Sequence, residues 1–373
     1  MFITRGERVN DIPIITLEGG PCGGKTDGLA HVRRTLEKYG YTVFVSPEAA
    51  TDLINRGIVP GKTVTPELFQ ELVFAKTIES EAACYRAAKA LGNAKCIVVG
   101  DRGLRGNLAY TSEEHFAELA EKFGTHPEIL RDHCAHAVFH LRTAALGAEA
   151  FYTCANNTAR KESVDEARAL DERSLNVWIG HPHLRVIPNA AGRTFKDKLE
   201  HLLNEILHFL NRTEIERKFL VEVPDLGALP HYARVPIIQH YLKNDKGEKW
   251  RVRARGGEHA RLYTETKKSG HTGLSCSENE RVISKEEHHR LVMTLLDRSR
   301  RPIEKDRHCF VWEDQYFELD IFLHPEIRHA ILEIELMKED QPVLLPPFLK
   351  VIKEVSHDPA WKNSALARRV PPH

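Results

Sequence analysis

Several features that would assign this chain to a common class are missing from its sequence. Its seven cysteines are scattered and include no Cys-x-x-Cys pair, which argues for reduced thiols rather than a disulfide framework or a zinc site. Lys plus Arg equals Asp plus Glu, at 53 each, so whole-chain charge does not indicate nucleic acid or an anionic membrane as the partner. No apolar run is long enough to cross a bilayer, and the charged N-terminal segment lacks an apolar core. We therefore expect no signal peptide and a cytoplasmic protein.

A phosphate-binding loop is predicted close to the start of the chain. The apolar residues 14–17 run into Glu18-Gly-Gly-Pro-Cys-Gly-Gly-Lys-Thr26, and a helical pattern follows. Backbone N–H groups of such a loop surround phosphates, its Lys reaches the terminal phosphates, and its Thr hydroxyl binds Mg²⁺. The residues predicted to do this are Gly19, Gly20, Gly23, Gly24, Lys25 and Thr26. The sequence therefore predicts a site for a nucleoside triphosphate, either ATP or GTP.

Apolar runs typical of strands alternate with helical patterns through the first half of the chain. The strand-like runs are residues 14–17, 42–45, 96–99, 137–141 and 184–187, and a long helix is expected from Pro66, after the N-cap Thr65. This alternation indicates a parallel sheet with helices on both faces. An amphipathic helix that opens at Thr194 ends near Arg212. The sequence thus predicts an α/β P-loop NTPase domain over residues 1–211 and a second domain over residues 212–373.

Three residues near the predicted sheet edge are further candidates for chemistry. Asp101 and Arg102 follow a strand, at the edge where ligands bind in open α/β sheets, so we expect Asp101 to support Mg²⁺ and Arg102 to contact phosphates. Glu48 follows another strand. It either accepts a proton from an acceptor hydroxyl or is a helix N-terminal glutamate favoured by the helix dipole.

The polar segment 156–162 leaves two interpretations open. It is either a mobile lid whose Arg160 or Lys161 meets the phosphates during transfer, or a solvated loop.

Pairs of like charges recur two residues apart in the second half of the chain, inside otherwise apolar, strand-like segments. The members are Glu214, Glu216 and Lys218, then Arg251/Arg253, Glu278/Glu280, Lys305/Arg307, Glu318/Asp320 and Glu333/Glu335. Side chains alternate faces along a strand, so each pair shares one face. A sheet with one face in water would also have a polar face, but solvent faces normally mix charges of both signs with Thr and Ser. The pattern therefore favours an α+β domain built on an antiparallel β-barrel tunnel with the charges inside.

The predicted mechanism for this tunnel is metal-assisted hydrolysis of a triphosphate or polyphosphate. Phosphate oxygens are expected on the bases, which are Lys218, Arg251, Arg253, Lys267, Lys305 and Arg307. Mg²⁺ or Mn²⁺ is expected on the acids, which are Glu214, Glu216, Glu280, Glu318, Asp320, Glu333 and Glu335. Nucleic-acid binding through the arginines, Trp250 and Tyr263 is the alternative. The acidic partners favour a phosphate tunnel, which leaves only a triphosphate RNA end as a nucleic-acid substrate.

Taken in order, these charged motifs resemble the CYTH, or triphosphate tunnel metalloenzyme, superfamily over roughly residues 212–368. The segments Thr264-Glu-Thr-Lys-Lys268 and Trp361-Lys-Asn-Ser-Ala-Leu366 complete the likeness. The resemblance implies a tunnel in which Glu214, Glu216 and Lys218 take part in catalysis.

The first domain resembles the AAA_28 group, which is similar to nicotinamide riboside kinase. The likeness rests on the P-loop, Pro47-Glu-Ala-Ala50, Asp101-Arg-Gly with Ala109-Tyr110, and Arg160-Lys-Glu162. It implies catalytic roles for Glu48 and Asp101. The group's pattern leads us to expect an acid three residues after Gly103, where this chain has Gly106.

Together the two domains resemble the group of the TRPL translocation defect protein, which implies GTP binding and acidic-phospholipid binding in trafficking. Two hypotheses therefore stand. The chain is an enzyme whose tunnel hydrolyses triphosphates, or a nucleotide-dependent protein whose tunnel holds a phosphorylated lipid or polyphosphate without turnover. The presence of both acids and bases favours the enzyme, because an anion binder does not need the carboxylates.

Overall fold

The computed structural model describes residues 12–92, 95–152, 163–189, 192–211, 213–243, 249–258, 260–272 and 275–368. It divides into two compact units between Leu207 and His208. Within the described residues, no helix combines the length and the apolar character needed to cross a bilayer.

The first unit is a five-stranded parallel sheet with helices. Its elements are β1 Ile14–Glu18, α1 Lys25–Lys38, β2 Thr42–Ser46, α2 Ala49–Asn55, α3 Pro66–Leu91, β3 Cys96–Asp101, a 3₁₀ turn Leu104–Tyr110, α4 Glu113–Lys122, α5 Pro127–His133, β4 Ala137–Leu141, α6 Val164–Asn176, β5 Leu184–Ile187 and α7 Phe195–Leu210. The strand order is β2-β3-β1-β4-β5. β1 therefore lies at the centre, and its carboxyl end leads directly into the glycine-rich loop.

Local sequence signals explain where several of these elements begin and end. The Thr65 side chain accepts a hydrogen bond from the Leu68 N–H, with Pro66 at the first position of α3, as the N-cap pattern predicts. Gly92 then ends the helix in the left-handed region, at φ 63°. All five residues of β1 are buried, which is typical of a strand covered on both faces.

The second unit is a nine-stranded antiparallel sheet with two short helices. Its elements are β6 Thr213–Glu222, β7 Tyr232–Tyr241, β8 Lys249–Arg255, β9 Leu262–Thr272, β10 Ser275–Ile283, α8 Lys285–Leu295, β11 Ile303–Trp312, β12 Gln315–His324, β13 His329–Leu336, β14 Val351–Glu354 and α9 Asn363–Leu366. The order is β10-β9-β8-β7-β11-β12-β13-β6-β14, with an additional pairing between β10 and β6.

The two faces of this sheet differ sharply in composition. One face carries a buried apolar cluster that includes Phe219, Phe310, Phe317, Leu319 and Leu332. The alternate positions of the same strands carry the paired charges, because strand side chains alternate faces. The parallel sheet with helices and the large antiparallel sheet were both predicted, and both are confirmed.

Candidate functional site

The glycine-rich loop of the first unit folds back on itself in front of α1. Gly24 has φ 87° and precedes the first helical residue, Lys25. Gly19 has φ 147°, and a Cβ there would meet the Leu141 carbonyl oxygen, so only glycine fits. Lys25 Nζ donates to the Gly19 carbonyl oxygen at 3.2 Å, and Thr26 is exposed at the start of the helix. Backbone N–H groups and the positive end of the helix dipole thus meet at one place.

A buried carboxylate fixes this loop from outside it. Asp171 in α6 accepts hydrogen bonds from the Gly20 N–H at 2.9 Å and from the Thr143 N–H at 3.0 Å. Arg142 donates to the same carboxylate at 3.0 Å. Burial alone would raise the pKa of Asp171, but His140, Arg142 and the Gly20 N–H together hold that pKa well below its ordinary value. Asp171 therefore stays charged and holds the loop in place.

A buried lysine fixes the other end of the loop. Lys198 in α7 donates from Nζ to the Gly23 carbonyl oxygen at 3.0 Å and to Asn189 Oδ1 at 2.9 Å. Neither Lys198 nor Asp171 was predicted as a site residue. No local signal marks them, because their contacts with the loop join residues 151 and 175 positions apart.

Charged residues from three elements meet beside the loop. Arg102 Nε lies 3.2 Å from Glu48 Oε1, and the guanidinium stacks 4.7 Å from the Tyr110 ring centre. Glu48 stands at the N-cap of α2, yet its side chain makes no capping bond and instead accepts from Thr51 at 2.6 Å. The structure therefore brings Glu48, Asp101, Arg102 and Lys25 together.

Burial and neighbouring charges shift the pKa values of these groups. Burial lowers the pKa of Lys25 and raises the pKa of Asp101. Burial opposes the charge of Glu48, but Arg102 and Lys25 outweigh it and lower the pKa of Glu48. Perturbed groups of opposite sign in one place are typical of functional sites.

Glu18, at the end of β1, is a carboxylate that sequence reasoning missed. It is fully buried, and its Oε1 accepts from the Gly103 N–H at 2.9 Å. Among the described residues, Glu18 Oε2 and Asp101 Oδ1 are buried oxygens without a hydrogen-bond partner. Unpaired carboxylate oxygens beside a phosphate loop fit Mg²⁺, which binds one or two carboxylates together with phosphates and waters.

No three His, Cys, Asp or Glu side chains within the described ranges converge on a common point that could hold a metal. A cation in either unit would therefore need ligands from phosphates or water, or a rearrangement of side chains. Arg160 and Lys161, the predicted lid residues, lie outside the described residues.

The charged face of the second unit is a network of buried ion pairs. Arg307 donates from Nε to Asp320 Oδ1 at 2.8 Å and from Nη2 to Glu333 Oε2 at 2.6 Å, and it also pairs with Glu318. Lys305 pairs with Asp320. The strand register explains these contacts, because Arg307 stands opposite Asp320 and Glu318 stands opposite Glu333.

Lys218 continues the network on β6. Its Nζ lies 2.9 Å from Glu216 Oε2 and also contacts Glu333, and Glu216 stands opposite Glu335 in the register. Burial opposes these charges, yet the partners prevail: Glu216 and Glu333 raise the pKa of Lys218, and the neighbouring bases lower the pKa of Glu333. Burial lowers the pKa of Lys305. The face holds charges that solvent does not stabilise.

Arginines extend this face across β8. Arg251, Arg253 and Arg255 take alternate positions and stand opposite Tyr241, Gln239 and Ile237 of β7. Arg255 is only 4% exposed. It was not predicted, although the spacing Arg-x-Arg-x-Arg was visible in the sequence. On the neighbouring strands, Thr266 donates to Glu280 Oε2 at 2.7 Å, which places Glu280 at the same face.

Lys267 does not join this face, which corrects the sequence-based placement. Lys267 stands opposite Trp250 in the register, and its ammonium lies 4.8 Å from the Trp250 ring centre. The side chain is 49% exposed. Arg251 stands instead opposite Thr266, and Arg253 opposite Thr264, so these two threonines share the face of the arginines. The side chains of Glu214 and Glu278 lie outside the described residues, although both belong to described strands.

Comparison with known proteins finds a family match and a relative for this chain. The AAA_28 family, described as an AAA domain, matches residues 14–194, and an AAA domain with a P-loop suggests nucleotide binding. An inorganic triphosphatase from Nitrosomonas europaea is 34% identical over 163 residues, which are 43% of this chain and 99% of that protein. The chain belongs to the family of this inorganic triphosphatase.

Two solved structures are also similar to this member of the triphosphatase family. One, of an inorganic triphosphatase, is 33% identical with a TM-score of 0.31 and covers 43% of this chain and 97% of that chain. The other, described as a hypothetical protein, is 33% identical with a TM-score of 0.32 and covers 42% of this chain and 99% of that chain. Membership of this family supports a phosphohydrolase.

Proposed function

We propose that the second unit is a metal-dependent triphosphatase and that the first unit binds ATP or GTP through its P-loop. The observation that carries the proposal is the buried face on which Lys218, Lys305 and Arg307 stand among Glu216, Asp320 and Glu333. Burying so many charges costs free energy. A ligand that needs both signs of charge explains why the chain keeps them.

The tunnel form of this sheet rests on the pairing of β10 with β6. Ser275–Ser277 pair with Thr213–Ile215, while β6 also pairs with β13. Eight strands therefore follow one another in a ring, with β14 added outside it on β6. A ring of strands encloses one face, and we assign the charged face to the interior.

The substrate is proposed to lie among the bases of this interior. Arginine guanidinium groups bind phosphate oxygens by parallel hydrogen bonds, and the row Arg251, Arg253 and Arg255 offers three guanidinium groups along one strand. Lys305 and Arg307 lie on the same face of the sheet as this arginine row. Lys305 stands opposite Ile237 of β7, and Ile237 stands opposite Arg255 of β8. Bound phosphate would replace Glu333 and Asp320 as the partner of the bases that these two carboxylates now neutralise.

The carboxylates then become available to a cation. Glu216, Glu318, Glu333 and Glu335 supply the hard oxygen ligands that Mg²⁺ and Mn²⁺ prefer. A divalent ion held by these carboxylates would stabilise charge on the transferring phosphoryl group and lower the pKa of its bound water. Lys218 holds Glu216 and Glu333 in position, and a carboxylate freed from its base orients and deprotonates the attacking water.

A phosphate-release assay with purified protein tests the proposal. Inorganic triphosphate, pyrophosphate, ATP and GTP are compared as substrates, with Mg²⁺, with Mn²⁺ and with a chelator. We expect release from at least one triphosphate, lost with the chelator. No release from any triphosphate with either metal would refute the triphosphatase. Acidic-phospholipid binding, binding of a triphosphate RNA end and cytoplasmic location are favoured by none of these observations and stay predictions.

A further inference from the structure

Gly106 and Glu18 occupy the same small space beside the P-loop. A Cβ on Gly106 would approach Glu18 Oε1 to less than 3.0 Å, a separation that real Cβ atoms essentially never show. Gly106 is not among the residues with positive φ, so its backbone would accept a side chain. Gly106 therefore leaves room for the carboxylate of Glu18, which a side chain at this position would have to displace, whereas the backbone conformation does not itself demand glycine.

We propose that Glu18 and Gly106 form a matched pair. In this pair Gly106 leaves room for the Glu18 carboxylate, and that carboxylate, with Asp101, receives hydrogen bonds from water on a Mg²⁺–nucleotide. The proposal rests on the nucleotide site proposed for the first unit. It gives a reason for Gly106 where the resemblance led us to expect an acid.

The contacts of Glu18 show that one of its oxygens is committed and the other is not. Oε1 accepts from the Gly103 N–H at 2.9 Å and so holds the turn that follows Asp101. Oε2 is buried and has no hydrogen-bond partner among the described residues. A buried carboxylate oxygen without a donor is costly, so a ligand-borne donor is the occupant that its chemistry calls for.

The surroundings favour a cation with water ligands as that occupant. Glu18 lies within electrostatic range of Lys25, Asp101 and Arg102, and Asp101 carries a second unpaired buried oxygen. Leu17 stands opposite Asp101 in the β1–β3 pairing, so Glu18 and Asp101 come from the carboxyl ends of adjacent strands. Three carboxylates, with Glu48, outnumber two bases there. Carboxylate oxygens in excess of bases can accept hydrogen bonds from the water ligands of Mg²⁺.

The turn itself depends on Glu18. Arg102 has φ 69°, a conformation that costs free energy for a side-chain-bearing residue. Its N–H donates to the Leu17 carbonyl oxygen at 3.0 Å, and the next N–H donates to Glu18. A purely structural Glu18 would need only an acceptor at Oε1, whereas the proposed role also needs the negative charge at Oε2.

Titration of the full-length protein with ATP and GTP, with Mg²⁺ and with a chelator, separates these roles. Glu18→Gln keeps an oxygen for the Gly103 N–H but removes the charge. We expect the gain in affinity that Mg²⁺ gives the wild type to fall about tenfold or more in this variant, with affinity in the chelator no weaker than that of the wild type. An unchanged Mg²⁺ gain would overturn the proposal. If the wild type binds neither nucleotide, the proposed nucleotide site is wrong and this inference falls with it.

An exchange of the two positions gives a second, stricter test. Gly106→Asp alone sets two carboxylates into one space, so its thermal midpoint and its nucleotide affinity should both fall. Glu18→Ala alone should lose the Mg²⁺ gain. The double variant Glu18→Ala/Gly106→Asp should recover both the midpoint and the Mg²⁺ gain, because an acid again fills the space. Losses that simply add in the double variant would contradict the matched pair.

Discussion

Glu333 shows how much buried charge the second unit contains. Glu333 accepts from Arg307 at 2.6 Å and contacts Lys218, and it is almost fully buried. Buried ion pairs contribute little net stability, but removing one partner leaves the other as a buried charge without compensation. These residues are therefore better explained by ligand binding than by stability.

Removal of Glu333 should be strongly destabilising. Glu333→Ala leaves Arg307 and Lys218 short of a partner, and we expect a loss of about 3–5 kcal/mol of unfolding free energy, measured by urea denaturation. Glu222→Ala on neighbouring β6 is the matched control, because Glu222 is exposed and its partner is the exposed Lys350. Equal midpoints for the two variants would contradict the buried network.

His288 gives the unfolding free energy a specific pH dependence. Burial, with the positive charges of His240, His289 and Arg261, lowers the pKa of His288 to about 4. The unfolded chain takes up this proton at its ordinary pKa of about 6.5, so stability should be intact above that pH and fall as pH drops towards 4. The difference in stability between wild type and His288→Gln, followed over this window, isolates the effect. A constant difference would refute it.

The position of Lys267 can be tested by activity. Arg253→Ala should lower triphosphate hydrolysis steeply, because Arg253 stands on the face that carries Lys305 and Arg307. Lys267→Ala should leave the rate close to wild type, because Lys267 stacks on Trp250 on the other face. Comparable losses in both variants would restore Lys267 to the site.

At the scale of elements, sequence patterns predicted those features that local interactions determine, such as where a helix begins and which residues form a strand. Thr65 with Pro66 marked the start of α3, and the alternating charges marked β6 and β11 to β13. Lys267 was assigned to the wrong face because two consecutive lysines leave the phase of alternation open, and only pairing with β8 fixes it. Asp171 and Lys198 could not be predicted, since nothing near them in the sequence shows that α6 and α7 meet the glycine-rich loop.

The contact between Asp171 of α6 and the P-loop should contribute measurably to nucleotide binding and to stability. Asp171→Ala removes the acceptor of the Gly20 N–H and leaves Arg142 without its buried partner, so we expect weaker nucleotide binding and a loss of about 3–5 kcal/mol. Calorimetric unfolding and nucleotide titration measure the two effects. Asp165→Ala, exposed on the same helix, should change neither. An Asp171→Ala protein that binds nucleotide as tightly as the wild type would show that the loop does not need this contact.

At the scale of the whole molecule, the chain combines a P-loop unit with a second unit to which we assign the triphosphatase activity. The sequence predicted both, because phosphate chemistry leaves recognisable residue spacings in each. What it could not reveal was the mutual neutralisation of acids and bases on the charged face, which depends on the register of the four strands β6, β11, β12 and β13. The two proposed sites use different residues, so their losses should be separable by mutation.

The most direct test of the account is the rate of phosphate release from inorganic triphosphate in Mg²⁺ or Mn²⁺, compared among three variants. Glu216→Gln should reduce kcat/KM sharply, whereas Glu222→Gln, at the exposed end of the same strand and paired with the exposed Lys350, should not. Lys25→Ala should abolish nucleotide binding and leave the rate unchanged. Equal rates for Glu216→Gln and the wild type, or loss of the activity in Lys25→Ala, would show that the second unit is not the triphosphatase.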